Sequence, residues 1–263
     1  MAFEQVQDFL DESEALHKLL RDLKEEDFER TTQFKGWTVE DVVRHLHFWN
    51  RAVDFARQGE DAFKGLRARV MEAFAKGTSL REVERTVIPE AGVVLRASWI
   101  GFARGMAKRM AGVDPKARFP WVGPEMSARS AMTARQMETW AHGFEIYDLL
   151  GVERQEQERI RNIVMLGMNT FGWSHQVQGL DVPEAMPKLV LEAPSGAIWE
   201  FGEGPGRIEG KAADFAAVVT QTRAFADTGL KVEGDVARRW METAQCFAGP
   251  KETPPAAGTR KRA

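Results

Sequence analysis

The stretch Arg135-Gln136-Met137-Glu138-Thr139-Trp140-Ala141-His142-Gly143-Phe144-Glu145-Ile146-Tyr147-Asp148 reads as helix, and the reading of the whole chain turns on it. Four residues apart on a helix, Glu138 and His142 share one face and stand one turn from each other. A carboxylate and an imidazole so placed offer oxygen and nitrogen donors to one divalent ion, a set that Zn²⁺ accepts. Two ligands from one helix do not complete a site, so a third must come from elsewhere in the chain.

Working outward, the best-marked helix start is Gly36-Trp37-Thr38-Val39-Glu40-Asp41. Thr38 predicts the cap, Asp41 three residues on predicts its capping-box partner, and Trp37 with Val42 predicts a hydrophobic staple. This helix should run to about Gln58, with an inward stripe of Val42, His45, Leu46, Trp49 and Val53. His45 therefore faces inward, whereas His47 points about 200° around the helix and shares a side with Val43, Asn50 and Asp54. The stripe chooses His45 as the partner of Glu138 and His142. Glu145, three residues past His142, is placed to orient a ligand; Asp148 faces further around and is a poorer candidate. Spacing alone leaves a bland reading open. Glu-x-x-x-His is common in helices, and a histidine on an apolar face is more often a hydrogen-bonded core residue.

Other segments are helical by the same periodicity: Phe3 to Leu23, about Ala62 to Lys76, Ala91 to Met110, Ser127 to Leu150, and about Gln155 to Trp173. Gly112 to Pro124 is a long loop in which Arg118, Phe119 and Trp121 either wall a pocket or simply pack as a connector. Long helices without strands predict a mainly α chain, a helical bundle over residues 1–180 with ligands on facing helices. After Pro183 the texture changes. Lys188–Glu192, Ala197–Phe201 and Arg207–Gly210 read as strands, Gly202–Gly206 as a turn, and helical spacing returns at Ala212–Phe225 and Asp235–Phe247. That is a small α+β domain over 184–249. The tail 250–263 is low in apolar content and is expected to lack order.

Composition narrows the function classes. The 263 residues are 43% hydrophobic and 29% charged, as in soluble globular proteins. A net charge of −3 argues against nucleic-acid binding. The single Cys246 excludes a disulfide framework and fits a reducing cytoplasm, and it lies on an apolar helix face with no histidine nearby in sequence. Neither a signal peptide nor a transmembrane span is expected, so the chain reads as cytoplasmic with no membrane partner. The glycine-rich Gly202–Gly206 lacks the ending of a phosphate-binding loop.

Gly36–Leu46 and Met137–Gly143 resemble the two signature segments of mycothiol-dependent maleylpyruvate isomerase-like proteins. These belong to the DinB-like metal-binding four-helix bundles. The resemblance implies that His45, Glu138 and His142 bind a divalent metal, usually Zn²⁺. It also implies a C-terminal domain somewhat like sterol carrier proteins, and a low-molecular-weight thiol as cosubstrate. The implied reaction is isomerisation or S-transfer on a small electrophilic, anionic substrate, in a monomer or homodimer. The family's active-site arginine has its nearest counterpart in Arg223 of Thr220-Gln221-Thr222-Arg223, with Arg118 as another anion-binding candidate. One departure is visible: the family often carries Asp where this chain has Glu145. The rival expectation is a non-catalytic small-ligand or metal-binding protein with a pocket rich in Trp199, Phe201 and Trp240 between the two domains.

Overall fold

The Thr38 hydroxyl accepts a hydrogen bond from the Asp41 amide at 3.1 Å, and the Asp41 carboxylate accepts one from the Thr38 amide at 3.2 Å. The expected capping box therefore starts the helix on which the first half of the chain is built. The computed structural model describes residues 3–261. Met1, Ala2 and the last two residues of the tail, Arg262 and Ala263, lie outside the described residues. In chain order the first helices are α1 (Glu4–Leu20), α2 (Val39–Gln58), α3 (Glu60–Lys76), α4 (Leu80–Val87), α5 (Gly92–Met110) and α6 (Ala128–Leu149). Two residue pairs in the loop before α6, β1 (Arg118–Phe119) and β2 (Met126–Ser127), form a short antiparallel ladder.

The chain divides into two compact units, 1–146 and 147–263, so the last residues of α6 belong to the second. In the first unit α2 is central. It packs along α5, α5 packs along α1, and Val39, Val42, Val43, Leu46, Phe48 and Val53 are all buried. A helix buried on so many sides carries its polar residues inward as well, and His45, His47, Asn50 and Asp54 all lie below the surface. Polar groups in such a place need partners or a function. α4 is clamped to α2 by three side chains. Arg85 reaches Asp41 at 2.7 Å, and Arg44 donates to the carbonyls of Ile88 at 3.0 Å and Glu90 at 2.8 Å.

The second unit contains α7 (Arg161–Asn169), α8 (Phe171–Val177), β3 (Pro187–Glu192), β4 (Ile198–Phe201), β5 (Gly204–Lys211), α9 (Ala212–Val219), β6 (Lys231–Glu233) and α10 (Asp235–Thr243). The sheet order is β4-β3-β5-β6, with β5 parallel to β3 and the other pairs antiparallel. The fold is thus mainly α with a small α+β part, as expected. Three readings change. The helix expected over 155–173 is interrupted at Thr170, whose hydroxyl turns back to the Leu166 carbonyl at 2.7 Å and competes with the backbone ladder. The helix expected over 212–225 stops at Val219, where Thr220 bonds back to Ala216 at 2.7 Å and Gln221 adopts a left-handed φ of 58°. Gly204–Gly206, expected as a turn, begins β5. A side chain at Gly204 would meet the Met186 carbonyl at 2.5 Å, and one at Gly206 the Glu233 carbonyl at 2.7 Å. Glycine is there because neighbouring backbone passes too close for a Cβ, which is a strand reason rather than a turn reason.

Trp240 is fully buried against Phe171 and Phe215, and Arg161 covers Trp199 and Phe201. These aromatics pack within the second unit. The terminal segment 250–261 has no helix or strand. It is tied down by backbone bonds, including Glu252 N–H to Gln245 and Gly258 N–H to the Asp227 carboxylate. Among the described residues no helix is long and apolar enough to cross a membrane.

Candidate metal centre

α2 and α6 bring His45, Glu138 and His142 together. One donor atom from each lies within 4.8 Å of the others. The Glu138 Oε2 is 3.5 Å from His45 Nε2 and 3.3 Å from His142 Nε2. Donors bound at about 2.0–2.1 Å around a tetrahedral ion stand about 3.3 Å apart, so the two measured edges have the spacing such an ion requires.

The other nitrogen of each imidazole also faces a carboxylate. His45 Nδ1 lies 2.8 Å from Oε1 of Glu84, and His142 Nδ1 lies 3.4 Å from Oε1 of Glu145. The hydrogen-bonded Glu84 fixes the His45 tautomer, leaving the Nε2 lone pair toward the shared space, and makes that ring a stronger donor, whereas Glu145 acts on His142 through its charge. Glu84 escaped the sequence reading. It is 1% exposed, and the clamp between α4 and α2 sets it against His45. Its signal was present: Glu84 falls on the same side of its helix as Leu80, Val83, Val87 and Ile88, a charge on an apolar face.

Aromatic rings enclose the imidazoles. Trp37, expected as a staple partner, stacks on His142 with centroids 5.2 Å apart and planes 5° from parallel. Its edge meets His45 at 5.1 Å. Phe34 meets the edge of His142 at 5.2 Å, and Trp49 lies 6.2 Å from His45. The loop residue Trp121 continues this wall, 5.4 Å from Trp49 and stacked on Phe63. The Glu138 side chain retains 25% exposure, more than the 11% of either histidine side chain, so the cluster meets solvent on the Glu138 side.

The charges of the metal-free site follow from these contacts. Burial alone would push the His142 pKa down, but Glu145 and Glu138 outweigh it and raise it to about 10. Burial likewise opposes the charged form of His45, and Glu84 with Glu138 raises its pKa nonetheless. Burial acts to raise Glu138, yet hydrogen bonds from both histidines and the charge of Arg135 hold it well below the usual carboxylate range. Glu84, Glu138 and Glu145 bring three carboxylates and Arg135 one guanidinium. The excess of two negative charges is met by two imidazolium ions, or equally by one divalent cation with both histidines neutral. The residues therefore fit a divalent metal in donor type and charge, and in the spacing of Glu138 from each histidine.

The other candidates from the sequence lie elsewhere. His47 is buried against Phe102, with ring centroids 5.4 Å apart, and burial lowers its pKa to about 4, so it is a neutral packing residue as its direction implied. Arg118 is mostly exposed beside Glu125. Arg223, in the second unit, forms a largely buried ion pair with Asp148 at 2.6 Å.

Fold and site together define a mainly α protein whose helical unit holds a His45–Glu138–His142 cluster that could bind a divalent ion. Residues 9–147, more than half of the chain, match the family model described as mycothiol maleylpyruvate isomerase N-terminal domain, and the chain belongs to that family. Two relatives from Mycobacterium tuberculosis, "Uncharacterized protein Rv0036c" and "Uncharacterized protein MT0041", are each 34% identical over 250 residues. The matches cover 93% of this chain and 95% of each relative. The crystal structure of the mycothiol-dependent maleylpyruvate isomerase shares the fold with a TM-score of 0.55 at 15% identity, over 89% of this chain and 95% of that one. A histidine-to-alanine mutant of it matches at 0.54.

Proposed function

We propose that this chain is a metal-dependent enzyme that activates a low-molecular-weight thiol, or water, for isomerisation or S-transfer on a small electrophilic anion. The observation that carries the reading is the pair of carboxylates behind the histidines: Glu84 on His45 and Glu145 on His142. A histidine kept only for packing has no need of a buried carboxylate that raises its basicity, whereas a metal ligand does. His45, Glu138 and His142 would hold the cation, a donor set suited to Zn²⁺. Bound there, such an ion supplies Lewis acidity that lets a thiolate or hydroxide form near neutral pH. The protein's own contribution is orientation and shielding. The Trp37 face and Phe34 edge cover His142 and keep water from the ring, and the exposed Glu138 side leaves an approach for a thiol. Membership of the family supports a mycothiol-like cosubstrate.

The test is direct. Purified protein is assayed for bound divalent ions by atomic emission, then screened by thermal shift with Zn²⁺ against mycothiol, glutathione and bacillithiol. One equivalent of metal, lost in His45→Ala and His142→Ala, with a thiol response that requires the metal, is the expected result. A chain that binds no divalent ion, with ligand responses unchanged in both variants, would instead be a non-catalytic binding protein. Arg223 enters as an anion-binding candidate through its own variant: Arg223→Gln should raise KM for an anionic substrate with little change in metal content.

A further inference from the structure

Three residues before Glu138, on the same face of α6, Arg135 is 3% exposed. Its Nε and Nη2 have no hydrogen-bond partner among the described residues. Glu138 and Glu84 lie close enough to act on it electrostatically, yet neither bonds those two nitrogens. A guanidinium stays charged in proteins, and a buried donor left unpaired costs about 1–3 kcal/mol, more when charged. Arg44, also buried, places the same two nitrogens differently: its Nε donates to Ile88 and its Nη2 to Glu90 and Glu40, and only its Nη1 has no hydrogen-bond partner among the described residues. The two free nitrogens are the side-on edge of the guanidinium, whose parallel N–H groups match the two oxygens of a carboxylate.

We infer that Arg135 is a substrate-binding residue that takes a carboxylate group side-on through Nε and Nη2 and so positions a small carboxylic acid beside the His45–Glu138–His142 cluster. This rests on the proposed function for what lies beside the carboxylate, but the fork itself belongs to Arg135. Arginine is suited to the task because lysine has the charge without the planar fork.

The experiment uses the full chain, both Zn²⁺-loaded and chelator-treated, titrated with succinate by calorimetry, with succinamide as the neutral isostere. The expected result is saturable succinate binding and no succinamide binding. Arg135→Gln should weaken succinate by about tenfold to a hundredfold, and Arg135→Lys by less, since charge returns without the fork. Circular dichroism and zinc stoichiometry should stay unchanged in both variants, a pattern that a purely structural arginine would not produce. If Arg135→Gln does not fold, Arg135→Lys carries the comparison. Equal succinate affinity in wild type and the folded variants, equal binding of succinamide, or no saturable binding to wild type overturns the inference. Binding lost in His45→Ala but kept in the Arg135 variants places the carboxylate on the metal alone and also overturns it. Failure of the metal reading shows separately, as absent zinc in the loaded sample, while the chelator-treated titration still reports on Arg135.

Discussion

Replacing Glu84 by Gln removes one charge from a position 2.8 Å behind His45 while keeping a side chain of the same shape, and it should weaken zinc binding. Two effects of opposite sign compete. Losing the carboxylate makes the imidazole a poorer donor and loosens its tautomer, a class of change that costs about tenfold to a hundredfold in metal affinity. The same loss removes the largest influence raising the His45 pKa, so the metal has less of a proton to displace and gains affinity at low pH. The second effect vanishes once His45 is deprotonated in both proteins. The ratio of wild-type to Glu84→Gln affinity should therefore be smallest at acid pH and widen as pH rises through the titration of His45, approaching about tenfold to a hundredfold. His142 stays charged to about pH 10 in both, so it cancels from the ratio. Competition against a chromogenic chelator at fixed ionic strength measures the ratio, and melting of the metal-free proteins checks that the fold survives. A ratio that does not widen as pH rises would refute the idea that Glu84 tunes the ligand.

Stability of the metal-free protein should depend on pH through His142. Its folded pKa, raised to about 10, gives a contribution fully present below the unfolded value near 6.5 and lost as pH rises through 10. Thermal melts between pH 6 and 10.5 should fall on the alkaline side, and the fall should be smaller in His142→Ala. Glu138, held well below its usual range, contributes above pH 4.5 and loses that contribution on acidification, so Glu138→Gln should blunt the acid limb of the same melts. His47→Ala should leave zinc stoichiometry at the wild-type value while lowering the melting temperature, because the ring packs on Phe102 and binds nothing; loss of zinc there would move the site. Gly206→Ala should destabilise the second unit by about 1–3 kcal/mol, since φ is +88° and the new Cβ would meet the Glu233 carbonyl; denaturant unfolding reads the change.

The clustering of His45, Glu138 and His142 was legible because helical geometry is local. Spacing alone puts Glu138 and His142 on one face, the Thr38 cap sets the phase of α2, and that phase turns His45 inward and His47 away. Segment lengths and capping likewise announced the helices and the later change to strands. What no spacing could tell is which side chains from distant segments stand behind the ligands. Glu84 reaches His45 only because Arg85 and Arg44 clamp α4 onto α2 across more than forty residues of chain. Trp37 looked like a local staple and proved to be the stacked face of His142. The ends of α7 and α9 were missed because threonine hydroxyls turned back on the ladder, and the first residues of β5 were read as a turn because close backbone, not turn chemistry, demanded their glycines. The sequence by itself determined three donors and the helices that carry them, since both depend on contacts within a few turns. Only the tertiary structure decided their distances, their buried carboxylates and the two unbonded nitrogens of Arg135, because charge and burial are properties of what the folded chain places around a residue.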